Sequence, residues 1–189
     1  IGNLKFIESH KIKQNNKLKN FYKMFQNKKI WVASSTHNSE EEFCAKAHIE
    51  LKKKFNNLLT IIIPRHVHRV PKIIEEFKKL KLNYVLHSKK VKNLKNVDLY
   101  IVDTFGETNK FHMMASSVFL GGSIINRGGQ NPLEAARHGA KILHGPNTDN
   151  FKDIYKLLKV LNASKKINSS KELAQSIQFK KNKTIEIKI

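Results

Sequence analysis

One heptapeptide carries the sharpest chemical signal in the chain: Gly128-Gly129-Gln130-Asn131-Pro132-Leu133-Glu134. Two glycines let backbone approach a ligand closely. The pattern predicts a helix from Pro132 to His138, stopped at Gly139, whose first free amides would suit a phosphate. A carboxylate in its first turn, Glu134, can accept two hydrogen bonds from the cis-diol of a ribose. Phosphate and ribose together mean a nucleotide. A glycine turn before a capped helix, with Glu134 favouring the dipole, accounts for the same residues.

Arg65 offers a planar fork to a phosphate, or to a structural ion pair. Gly106-Glu107 offers backbone groups to a base edge, or a turn before an acidic helix start. His37, His66 and His68 lack the cysteine or paired carboxylates of a metal set, so no metal is expected. Cys44 falls on the apolar side of a predicted helix and reads as a packed thiol. Gly121-Gly122-Ser123 lacks the flanks of a nucleophile elbow or a P-loop.

Strands and helices alternate around these residues. Predicted strands are Ile30 to Ala33, Leu58 to Ile63, Tyr84 to Leu86, Leu99 to Val102, Val118 to Leu120 and Lys141 to Leu143. Ser39 with Glu42 predicts a capping box, followed by an apolar face at Phe43, Ala47, Leu51 and Phe55. Further helices are expected from Pro71, through Phe111 to Ala115, from Phe151 to Leu158, and from Ser169-Ser170 to about Ile177. The alternation predicts an α/β fold: a Rossmann-like parallel sheet with helices on both faces. Ligands of such sheets bind at the carboxyl ends of the strands. Those ends run into Pro64-Arg65, Asp103 to Glu107, Gly121-Gly122-Ser123 and His144-Gly145-Pro146. Three segments are expected: residues 1–29 leading in, a Rossmann-like domain at 30–178, and a tail at 179–189.

The formal net charge of +21 over 189 residues invites a nucleic-acid reading. Only Arg65, Arg69, Arg127 and Arg137 are arginines; the other basic residues are lysines dispersed over helix faces. Arginine, not lysine, supplies the forked contacts to phosphates and guanine edges. Most of the charge therefore reads as solvated surface, with attraction to anionic lipid or substrate as the competing use. One cysteine permits no intrachain disulfide and suits a reducing compartment. No apolar run is long enough to span a bilayer. The start, Ile1-Gly2-Asn3-Leu4-Lys5, has neither Met nor a signal pattern and reads as the cut end of a longer chain.

The collinear order of motifs resembles one family. Gly2 to Phe6, Ala33 to His37 with Glu40-Glu41, Pro64-Arg65-His66, Val102-Asp103-Thr104 with Gly106-Glu107, Gly121-Gly122-Ser123, Gly128 to Glu134 and Gly145-Pro146 are similar to the carboxyl-terminal half of the Kdo (3-deoxy-D-manno-octulosonic acid) transferases. Gln130 stands where the family usually has His, and Phe105 where Met is common.

The resemblance implies a GT-B glycosyltransferase whose missing amino-terminal half holds the general base, the lipid acceptor site and the membrane-binding surface. It implies that this half binds the donor CMP-Kdo through Pro64, Arg65, Phe105, Gly106, Glu107, Asn131, Pro132, Leu133 and Glu134. Lys5 resembles a family lysine that stabilises the transition state. Kdo would pass with inversion to the lipid A precursor (lipid IVA) in lipopolysaccharide biosynthesis. This would occur at the cytoplasmic face of the bacterial inner membrane, without metal, cofactor or nucleic acid. Two other readings stay open: a GT-B donor domain for a UDP-sugar, and a basic nucleic-acid-binding module.

Overall fold

Alternate residues of the central strands point to opposite faces of one sheet, and each face is covered. The computed structural model describes residues 16–89, 91 and 93–181. Its strands are β1 (Lys29–Thr36), β2 (Leu58–Pro64), β3 (Tyr84–Leu86), β4 (Leu99–Ile101), β5 (Ser117–Leu120), β6 (Lys141–His144) and β7 (Ser164–Lys166). All pair in parallel, in the order β3-β4-β2-β1-β5-β6-β7. The helices are α1 (Asn16–Lys23), α2 (Glu40–Lys52), α3 (Val70–Lys79), α4 (Thr108–Met114), α5 (Leu133–Arg137), α6 (Lys152–Val160) and α7 (Ser170–Ser176).

β2 is buried along its whole length, as a continuous apolar run in a two-sided sheet must be. Leu59, Ile61 and Ile63 join Val32, Val118 and Ile142 under residues of α1, α4, α5 and α6. Leu58 and Ile62 join Trp31, Ala33 and Phe119 under α2, α3 and α7. Each fully buried aliphatic chain contributes about 1.5–3 kcal/mol relative to exposure. Cys44 is buried within this second cluster, and burial raises its thiol pKa well above the ordinary value.

The predicted α/β class and all six predicted strands are present. Three local expectations are corrected. Ser39 does not cap α2: its φ is 73° and its side chain makes no cap hydrogen bond. The residue spends its conformation on a sharp left-handed turn, and Glu42 pairs with Lys46 instead. The helix near Pro132 starts at Leu133 and has five residues. A seventh strand, β7, was not expected, because only the first residue of Ser164–Lys166 is buried. From Phe21 the leading segment already packs on the body, with Phe25 in the core and Phe21 against it.

Candidate functional site at the carboxyl edge of the sheet

The chain runs from β1 to one side of the sheet and later returns to the other side at β5. A crevice outside the carboxyl ends of such strands is the natural ligand position. What fills its floor is a carboxylate. Glu40, fully buried, receives the backbone N–H groups of His37 (2.9 Å), Gly122 (2.7 Å), Ser123 (3.1 Å) and Ile124 (3.0 Å). One side chain thus ties the β1–α2 turn to the loop after β5. Desolvation raises the Glu40 pKa, opposed by those four hydrogen bonds. Gly121 makes this approach possible: a Cβ there would sit 2.3 Å from the Ser35 carbonyl oxygen.

Above that floor lies His37. Its pKa is lowered first by burial and further by its neighbours His66, Arg127, Arg69 and Arg65. The His37 and His66 rings lie 5.8 Å apart edge to face, and His66 stacks on His68 at 5.6 Å. Arg69 is committed elsewhere, forked onto buried Glu41 at 2.7 and 3.1 Å. Arg65 and Arg127 are exposed, and neither has an ion-pair partner among the described residues. Two open guanidiniums and a neutral imidazole therefore face one place. Such a rim attracts anions and can bind them in forked fashion.

The glycine loop closes one side of this crevice. Gly129 N–H donates to the Gly122 carbonyl at 2.9 Å. Gly128 has φ 74°, and a Cβ there would meet the Asn150 side chain at 2.5 Å. A Cβ added at Gly122 would meet Gln130 Nε2 at 3.3 Å, Arg127 Cβ at 3.4 Å and His37 Cδ2 at 3.5 Å. Asn131 Oδ1 accepts the Leu133 N–H at 3.0 Å, so the first amide of α5 is already occupied. Glu134 has no ion-pair partner among the described residues, and desolvation raises its pKa.

The segment after β4 forms a third station. Phe105 is 81% exposed, beside Gly106, whose missing Cβ would meet nothing within 4 Å. The Glu107 carboxylate is turned onto Lys110 and lies 4.0 Å from His87. That segment leads into α4, which the Asn109–His138 hydrogen bond (2.7 Å) ties to the end of α5. Pro64 is buried at the end of β2 and orients Arg65, whose N–H donates to the Thr36 carbonyl at 2.9 Å. Lys5 lies outside the described residues.

Pro64-Arg65, Phe105 to Glu107 and Asn131 to Glu134 thus all follow or adjoin carboxyl ends of one sheet. Among the described residues no hydrogen bond or ion pair joins the Arg65, Glu107 and Glu134 side chains directly. Several polar atoms of this edge are buried without protein partners: Thr36 Oγ1, His37 Nε2 and Thr104 Oγ1, with His112 Nδ1 behind them. Unpaired buried polar atoms call for a ligand or water. No group of three or more His, Cys, Asp and Glu side chains is placed to hold a metal ion among the described residues.

Sequence reasoning missed Glu40 as the organiser and Arg127 and His37 as rim residues. Three consecutive acids at a helix start carry no mark of which one turns inward. The position of Arg127 next to the glycine pair was the available signal.

No family model matches the chain. Its sequence is 34% identical over 177 residues to the 3-deoxy-D-manno-octulosonic acid transferase of Rickettsia prowazekii (strain Madrid E), covering 94% of this chain and 38% of that protein. It is 32% identical over 145 residues to the transferase of the same name from Haemophilus influenzae, covering 77% of this chain and 34% of that protein. The chain therefore spans somewhat over a third of the length of these curated relatives. In structure it is similar to the C-terminal CMP-Kdo binding domain of WaaA from Acinetobacter baumannii, with TM-score 0.77, 23% identity, and coverage of 84% and 85% of the two chains. Over the part of their length that it spans, this chain is a homologue of the 3-deoxy-D-manno-octulosonic acid transferases.

Proposed function

We propose that this chain is the donor-binding half of a GT-B glycosyltransferase that moves Kdo from CMP-Kdo to a lipid A precursor. The observation that carries the reading is the cationic rim: Arg65 and Arg127, without ion-pair partners among the described residues, beside His37 at the carboxyl ends of β1, β2 and β5. Kinship with transferases of that name supplies the sugar.

Breaking the bond between Kdo and CMP leaves negative charge on the phosphate. Fixed guanidiniums stabilise that charge as it develops and need no reorganisation to do so. Arg65 and Arg127 hold the phosphate and the sugar carboxylate. Neutral His37 supplies a hydrogen bond from its unpartnered Nε2. Glu134 accepts the ribose hydroxyls, and the backbone around Phe105-Gly106-Glu107 meets the base. Lys5 adds a further cation to the leaving phosphate. A carboxylate in the other half of the enzyme deprotonates the acceptor hydroxyl, and one direct displacement inverts the anomeric centre. No metal or cofactor takes part. The complete enzyme works at the cytoplasmic face of the inner membrane, where its lipid acceptor lies.

Titrating CMP and UMP against the chain, with amide shifts as the readout, tests the donor assignment. CMP should bind more tightly and move amides near Arg65, Gly106 and Glu134. Tighter binding of UMP would make this a domain for a UDP-sugar. Retardation of an arbitrary oligonucleotide at moderate salt, with no response to CMP, would make it a nucleic-acid module. The chain alone should transfer no Kdo, because domain closure completes sites of this kind.

A further inference from the structure

The donor reading leaves most of the positive charge unexplained, and one part of the surface concentrates it. Along the last edge of the sheet, α6 and β7 border a groove of about 610 Å³. Five lysines line it: Lys152, Lys156 and Lys159 from α6, and Lys165 and Lys166 from β7. All five are exposed. Only Lys156 meets a carboxylate among the described residues, Asp153 at 3.4 Å, itself 95% exposed. Ser164, buried in the groove wall, has an unpartnered hydroxyl.

Beside the lysines the same helix exposes two aliphatic side chains. Val160 is 84% exposed and Leu157 54%; with Phe105 and Ile49 they are the exposed large apolar residues among the described ones. Tyr155 and Leu158 are buried and anchor the helix to the body. At 100° per residue, the lysines occupy the flank nearer Tyr155, and Leu157 and Val160 lie further round the outward face. Spaced three apart, Leu157 and Val160 are neighbours on the helix surface and form one apolar patch beside the lysine stripe.

We propose that α6 and β7 form a docking surface for an anionic lipid bilayer, with the lysines on phosphate headgroups and Leu157 and Val160 entering the acyl boundary. Helices with this division of charge and apolar surface lie in the interface plane of membranes. Each lysine near an anionic leaflet strengthens binding roughly five-fold. A nucleic acid fits the surface less well. It has no arginine, and the two rings in the groove wall, Tyr155 and His144, are packed on each other with centroids 4.5 Å apart. This contact goes beyond the donor reading and is independent of it: a chain that ignored CMP would still bind vesicles through α6.

The test is co-sedimentation of the 189-residue chain with phosphatidylcholine vesicles, with and without about 30% phosphatidylglycerol, a content well suited to a polybasic surface. Binding should require the anionic lipid and weaken as salt rises. K152Q/K156Q/K159Q should weaken it on the order of 100-fold. L157S/V160S should weaken it about tenfold. K72Q/K78Q/K79Q, three exposed lysines of α3, should cost far less. V160W should shift its emission to the blue on anionic vesicles against the constant background of buried Trp31. Three results would overturn the proposal: no binding to anionic vesicles, equal loss from the α3 variant, or no change in V160W emission. So would a loss of oligonucleotide affinity in the α6 lysine variant matching its loss of vesicle affinity.

Discussion

Two clusters of charged and histidine side chains sit at opposite ends of the same sheet, and they differ in what they leave unfinished. At the amino ends, His48 Nδ1 meets Thr60 Oγ1 at 2.8 Å and its Nε2 lies 3.5 Å from Asp98. Lys52 reaches Asp98 at 2.6 Å, and the Asn83 N–H donates to its other oxygen at 3.0 Å. Lys52 and Asp98 thus neutralise each other inside the chain, although His48 Nε2 is buried without a hydrogen bond. At the carboxyl ends, Arg65 and Arg127 have none among the described residues, and the His37 Nε2 is buried without one. Residue types alone would nominate either cluster; a Thr-His-Asp trio even resembles hydrolytic machinery. Each cluster holds one histidine Nε2 without a hydrogen bond, so what separates them among the described residues is the pair of guanidiniums without a carboxylate.

The contrast breaks most decisively by removing one charge from each end. Asp98→Ala should cost about 3 kcal/mol of stability, because it strands Lys52 and His48, and leave CMP affinity unchanged. Arg65→Ala should do the reverse: stability within about 0.5 kcal/mol of the parent, CMP affinity down roughly 10- to 100-fold. Urea unfolding and calorimetric titration measure the two. Matching losses of stability and affinity in both variants would erase the distinction.

Glu40 belongs to both worlds, since its buried carboxylate serves the rim by holding backbone. Glu40→Gln replaces one acceptor oxygen with a donor facing an N–H. It should lower stability by about 2–3 kcal/mol, or roughly 5–10 °C in melting temperature. It should also weaken CMP several-fold by loosening Gly122 and Ser123. A variant that melts earlier but binds CMP normally would make Glu40 purely structural.

Acid sharpens the comparison further. Burial, with a smaller push from His138, lowers the His112 pKa to about 4. The unfolded chain takes that proton at about 6.5. Between those values the unfolded state binds more protons, so the stabilising contribution is complete above about 6.5 and lost as pH falls toward 4. His112→Gln should flatten this part of the stability profile by roughly 2 kcal/mol. Denaturant curves at pH 7 and 4.5 would show it.

The smallest expected effect is at Phe105, where Phe105→Ala should leave stability within about 0.5 kcal/mol and reduce CMP affinity a few-fold. An unchanged affinity would remove this side chain from the proposed contact with the base.

Much of the architecture was legible in the sequence because burial on both faces writes long apolar runs. Leu58 to Ile63 is such a run. β7 escaped because Ser164–Lys166 is an edge strand with one buried residue, leaving no pattern to read. Arg65 and the glycine pair were legible because a strand end followed by Pro-Arg or Gly-Gly is a local signal. Glu40 was not, because three of its four donors come from residues more than 80 positions away. Ser39 misled for a related reason: serine before an acidic turn is a good cap, but here the backbone turns left-handed to send Glu40 inward.

The fork between Arg69 and Glu41 limits what this edge can offer an anion. With Arg69 already neutralised by a buried carboxylate, an arriving anion would meet two open guanidiniums, Arg65 and Arg127, rather than three.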